Sequence, residues 1–156
     1  MATTEGKMYL TALSSLKKLE IQYVPTKLGI SRGANWAEIA ILGRNNPIYQ
    51  YTGGSNSLHL TLDFYSEQDN REDVVEKCRL LESWTMNNGF DEPPERIRLT
   101  FGRLFKATEI WLIESVDIDY KMFAKDFGSL PKQATVEVSL ILDTVKNRSI
   151  NDALWK

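Results

Sequence analysis

Residues 51–84 read YTGGSNSLHLTLDFYSEQDNREDVVEKCRLLESW, and this stretch decides the fold class. Gly53-Gly54 is a turn signal that breaks the chain. Leu58, Leu60, Leu62 and Phe64 alternate with His59, Thr61, Asp63 and Tyr65, the pattern of a strand with one buried face. The acidic run Glu67 to Asp73 favours a helix N-terminus, and the helix is expected to reach Trp84. Val74, Cys78 and Leu81 fall on one stripe of it. Asp69 is the expected N-cap, with Glu72 as its capping-box partner. No other stretch of good length has helical periodicity.

Outward from this unit the chain reads as strands and turns. Leu19, Ile21 and Tyr23 alternate with polar residues up to Pro25. Thr26 to Ala34 contains two glycines and reads as a loop, Trp36 to Leu42 as a strand, and Ile48 to Thr52 as another. Gly43 to Pro47 is a dense turn signal between the last two. Ile97, Leu99 and Phe101 form a strand ending in a Gly102-Arg103 reversal. In Ile110 to Tyr120, the residues Ile110, Leu112, Val116, Ile118 and Tyr120 share a face, and a β-bulge near Glu114-Ser115 would turn Glu114 outward. Val136, Val138, Leu140 and Leu142 make a final clean strand. The domain is expected at 16–143, with an N-terminal arm at 1–15 and a tail at 144–156. About seven amphipathic strands and one helix must pack as a sandwich or close into a barrel.

Composition bounds the function. The chain has 156 residues, 42% hydrophobic and 26% charged, as expected of one globular domain. With 19 basic and 21 acidic residues, net charge -2, it lacks the basic excess of a DNA-binding protein. One cysteine, Cys78, rules out an intrachain disulfide, and its place on the apolar stripe reads as core. No apolar leader or membrane span is visible.

Catalytic and ligand motifs are missing. One histidine and one cysteine in different elements exclude a structural zinc site, and residues 69–73 lack the glycine and spacing of an EF-hand. Neither a P-loop nor a nucleophile elbow occurs. His59 could be a general base, but it lies on the polar side of its strand and reads more simply as a surface residue. Asp63, Asp117 and Asp119 could suggest paired-carboxylate hydrolysis, yet each occupies an outward slot, where solvated or inter-subunit charge is the simpler role. Trp36, Ile48, Tyr49 and Tyr51 lie in or beside a loop-rich region. They read either as core or as a protein interface, where Trp and Tyr are enriched.

A wider pattern emerges from the order of motifs. Tyr23-Val24-Pro25 forms an aromatic-x-Pro corner, Trp36 follows a polar loop, and Tyr51-Thr52-Gly53-Gly54 precedes the Leu58 to Phe64 strand. Asp73-Val74 opens the helix, Pro93-Pro94 precedes a strand ending in Phe101-Gly102, and Ile113-Glu114-Ser115-Val116 continues to Tyr120 and Phe123. Pro131 and Ala134 lead into the last strand. In this order, over about residues 18 to 143, the chain resembles the N-terminal domain of the contractile injection system tube protein family. It departs in having Tyr-Val-Pro for Phe-Asn-Pro and Phe-Gly for Trp-Gly, and it is too short for the LysM-like module many members carry.

The resemblance implies a tail-tube-like fold, mainly β with one helix: two packed antiparallel sheets in a barrel-like sandwich, flanked by the helix. It implies a structural virion protein, without catalytic, cofactor or metal sites, that forms a homohexameric ring as a phage tail tube initiator or baseplate hub adaptor. Its partners would be further copies of itself, the tail tube protein and the hub and spike proteins. The particle would assemble in the host cytoplasm, without a membrane, and DNA would pass through the lumen without specific binding. His59, Thr61, Asp63, Glu137 and Ser139 are then expected to face the lumen. Trp36, Ile48, Tyr49 and Tyr51 are expected between subunits or rings. The competing expectation is a small β-barrel that binds a compact ligand in a closed apolar cavity.

Overall fold

A computed structural model describes residues 7–21, 23, 25, 28–66, 72–87, 93–105, 109–123 and 130–143. It contains strands β1 (Met8–Ala12), β2 (Lys18–Glu20), β3 (Leu28–Ile39) and β4 (Ile48–Tyr65), then helix α1 (Glu72–Ser83). Strands β5 (Arg96–Phe101), β6 (Ile110–Phe123) and β7 (Pro131–Asp143) follow. All seven strands join in one antiparallel sheet of order β2-β1-β5-β6-β7-β4-β3. The resemblance implies two sheets forming a barrel-like sandwich; the pairing instead gives a single, unclosed sheet, with β2 and β3 at its edges.

The alternation in Leu58 to Phe64 sends four side chains into the core, and Ala134, Val136, Val138 and Leu140 do the same from β7 alongside. Met8, Leu10, Ile97 and Leu99 join the same core from β1 and β5. Helix α1 packs on β6 and β7. It contributes Val74, Cys78 and Leu81, and Trp84 follows just past its end. The expected Asp69 cap lies outside the described residues, as does the tail at 144–156. Burial pushes the Cys78 thiol up to about 11, as suits a core cysteine.

Several elements differ from the pattern-based expectations. Met8–Ala12, expected within an arm, is a strand paired on both sides. Tyr9 is shielded along with Met8 and Leu10, so the segment carries no clean apolar–polar alternation. Residues 28–34, expected as loop, belong to β3: as an edge strand it needs hydrogen bonds along one side only, which its glycines do not impede. Gly53-Gly54 does not end a strand but lies inside β4. Asn35 is opposite Gly53 and Trp36 opposite Tyr51, leaving Thr52 as the extra residue of a bulge. Gly53 supplies the required positive φ of 130°, and Thr52 Oγ1 donates to the Asn35 carbonyl at 3.1 Å.

A second bulge sits where the sequence suggests one, between Ile113 and Ser115 of β6. Its consequence differs from the expected face. Ile113 pairs with inward Leu140, while Ser115 pairs with outward Ser139. Trp111 and Ile113 therefore point inward before the bulge, Val116, Ile118 and Tyr120 after it, and Ile110 and Leu112 lie on the opposite side.

β5 and β6 pair only through Arg96–Leu112 and Ile97–Trp111, ahead of this bulge. From Ile113 to Phe123, β6 pairs with β7 on one side and, among the described residues, with no strand on the other.

Candidate functional site

Two surfaces carry the residues singled out from the sequence. The first is the side of β4, β7 and β6 facing away from the core. Antiparallel pairing sets its side chains in rows across the strands. His59, Ser139 and Ser115 form one row, Thr61, Glu137 and Asp117 the next, and Asp63, Thr135 and Asp119 a third. The five residues expected to face a lumen thus lie together on one side of one sheet. His59 Nδ1 and Ser139 Oγ share a hydrogen bond at 3.0 Å, and Thr135 Oγ1 donates to Asp63 Oδ1 at 3.0 Å. His59 and Asp63 do not pair with each other. Burial of that pair within one subunit would have contradicted an open face.

Electrostatically this face is acidic. Asp63, Asp117, Asp119 and Glu137 are opposed by Lys121, whose ammonium lies 3.8 Å from Asp119. Asp117 and Glu137 stand directly opposite each other, an arrangement that costs stability in an isolated chain. Sequence reading left Asp117 and Asp119 out of the lumen set. Their odd-numbered alternation after the Glu114 bulge is the signal that places them on the same side of the sheet as Glu137 and Ser139.

A shallow depression of about 380 Å³ lies between His59, Thr61, Asp117, Glu137 and Ser139. Its chemistry is limited. His59 and Ser139 resemble two members of a catalytic triad, but among the described residues no carboxylate hydrogen-bonds the other imidazole nitrogen to orient it as a base. Among the same residues no His, Cys, Asp and Glu side chains cluster as metal ligands. No helix among them is long and apolar enough to cross a membrane.

The second surface is an arm. β4 pairs with β7 only from Ser57 to Tyr65, so residues 48–56 pair with β3 alone and extend past the sheet as a two-stranded ribbon. The turn at its tip uses Gly43 with φ 86° and a bond from Arg44 N–H to the Ile41 carbonyl. Trp36 is opposite Tyr51 and Glu38 opposite Tyr49, so the three aromatics share one side. Ile39 and Ile48 are opposite each other on the other side. Trp36 and Tyr51 meet edge to face, with centroids 5.4 Å apart. All four residues expected at contacts, Trp36, Ile48, Tyr49 and Tyr51, are 40–60% exposed. They belong to the two strands of the arm, as the strand readings at Trp36 to Leu42 and Ile48 to Thr52 expect, and the core alternative does not hold for them.

The Thr52 bulge sets this arrangement. Trp36 lies an even number of residues from inward Leu28 and Ile30, but Tyr51 lies an odd number from inward Leu58. The extra residue brings Tyr51 and Tyr49 to the side that continues the core face. The arm thus carries the apolar side of the sheet out beyond the subunit's own core.

Among solved structures, the chain is similar to one from the virion of a native gene transfer agent particle. The TM-score is 0.43 and the identity 16%, over 88% of this chain and 92% of that chain. No protein-family model and no curated protein matches.

Proposed function

We propose that this chain is a structural subunit of a contractile phage tail or related injection system, built into a homohexameric tube-initiator or hub-adaptor ring. One observation carries the proposal: among the described residues, the block β3-β4-β7-β6 has a long unpaired edge on each side. One is the outer edge of β3, 12 residues long; the other runs along β6 from Ile113 to Phe123. Unpaired edges of this length invite pairing with another chain. When β3 of one copy meets β6 of the next, the contact is head to tail, and such contacts form a ring where the rotation between copies closes and a filament where it does not. The number six comes from the family resemblance.

In such a ring the acidic face of the block lines the channel. It repels phosphate, so DNA passes without specific binding. The short joint between β5 and β6 lets β2-β1-β5 fold over as an outer layer, the sandwich the resemblance implies. The aromatic arms bridge to neighbouring subunits or to rings above and below, formed by tail tube protein on one side and hub or spike proteins on the other. The subunit would be assembled in the host cytoplasm and act within the virion, as a structural protein and not as an enzyme.

Native mass spectrometry and electron microscopy of the chain, alone and with its hub and tube partners, test this. Six-fold rings are expected, and they should be lost on Trp36→Ala/Tyr51→Ala with the melting temperature of the subunit unchanged. A chain that stays monomeric in the presence of both partners refutes the ring. Ligand-induced thermal stabilisation without assembly would favour a binding module instead.

A further inference from the structure

The outward side of the sheet is divided by charge. Its β4-β7-β6 part presents Asp63, Asp117, Asp119 and Glu137, whereas β2-β1-β5 presents Lys18, Arg96 and Arg98 with Glu20. Two of the charges on the second part are already satisfied: Glu20 by Lys7 at 3.0 Å and Arg96 by Asp143 at 3.3 Å. Lys18 and Arg98 have no carboxylate partner among the described residues.

These two cations stand in one row. Thr11 of β1 is opposite Lys18 on one side and Arg98 on the other. At the usual strand spacing their Cα atoms are about 10 Å apart, so both side chains can reach an anion held above the Thr11 hydroxyl. The Lys18 ammonium is held in place, 3.7 Å from the centroid of the Tyr9 ring. Side-chain entropy is thereby lost before any partner arrives.

We propose that Lys18, Thr11 and Arg98 form a docking row for a carboxylate-rich protein segment. Arg98 suits a bidentate contact to a carboxylate, Lys18 supplies a point charge, and Thr11 a hydroxyl donor. A protein partner fits better than a nucleic acid. Two free cations fall short of the roughly six to ten phosphate contacts of a typical DNA-binding surface. The inference does not depend on ring formation, and it can be tested on the single subunit.

The test uses the full chain and a fluorescein-labelled deca-glutamate peptide, followed by anisotropy at low salt. Lys18→Gln/Arg98→Gln should weaken binding about three- to ten-fold with an unchanged melting temperature. Arg44→Gln/Arg79→Gln, which alters net charge equally, should change it less than about two-fold. Three results overturn the proposal: no binding of the peptide, equal weakening by both double variants, or tighter binding of a duplex DNA through the same two residues.

Discussion

Replacing Glu137 should stabilise the isolated subunit, because its carboxylate faces that of Asp117 directly across two strands. Side chains in such a pair have Cβ atoms about 4.5–5.5 Å apart. Two charges about 6 Å apart repel by about 0.7 kcal/mol in water, within the range of about 0.2–1 kcal/mol for cross-strand pairs. Glu137's other neighbour, Thr61, carries no charge to offset this. Glu137→Gln should therefore raise unfolding stability by about 0.5 kcal/mol, and Glu137→Lys by about 1 kcal/mol as repulsion becomes attraction. Urea unfolding of the monomer at 20 mM and 1 M NaCl measures this. At 1 M salt the screening length is about 3 Å and the gain should vanish. Asp117→Asn should give a similar gain that does not add to the first. Asp63→Asn should give none, since Asp63 accepts a hydrogen bond from Thr135. The reasoning fails if Glu137→Gln destabilises equally at both salt concentrations, because the carboxylate would then have a favourable partner. In the proposed ring, Glu137→Lys is expected to retard DNA passage despite its more stable subunit.

Two further predictions concern the core and the arm. The Cys78 thiol, pushed up by burial to about 11 from 9.0, stays protonated in the folded chain where the unfolded chain has ionised. The unfolded state then binds fewer protons, so stability should fall as pH rises from 9 towards 11, by at most about 2–3 kcal/mol. Cys78→Ala should reduce that slope in alkaline urea titrations, leaving the part due to the neighbouring Tyr120 hydroxyl, which burial also pushes up, and an unchanged slope would assign it to other groups. At Gly54 an added Cβ would lie 2.8 Å from the Gly33 carbonyl oxygen, whereas at Gly29 it would meet nothing within 4 Å. Gly54→Ala should cost the arm about 1–3 kcal/mol, read as faster amide exchange at residues 33–39 and 48–54. Gly29→Ala should leave exchange there unchanged, and equal exchange in both variants would contradict the close backbone approach.

Legibility in the sequence followed the regularity of each element. Leu58 to Phe64 and Val136 to Leu140 alternate without interruption, so their buried sides, and the polar sides holding His59, Thr61, Asp63, Glu137 and Ser139, were readable directly. The α1 stripe was equally plain, because one helical face meets one core. β1 was not legible: burial on both sides erases alternation, and five residues are too few to show a period. The glycines misled at β3 and at Gly53-Gly54, because in one sequence a glycine that breaks a strand and one that serves a bulge look alike.

Local pattern thus determined which residues form strands with an apolar and a polar side, since that side-chain alternation is a property of neighbouring residues. Tertiary structure alone decided the rest. Which strands pair, where β4 and β6 gain an extra residue, and which edges stay open depend on partners distant along the chain. Those long-range choices turn Tyr49 and Tyr51 to the side of Trp36, align Asp117 with Glu137, and leave, among the described residues, the outer side of β3 and the stretch of β6 past Leu112 open on either side of the acidic β3-β4-β7-β6 block.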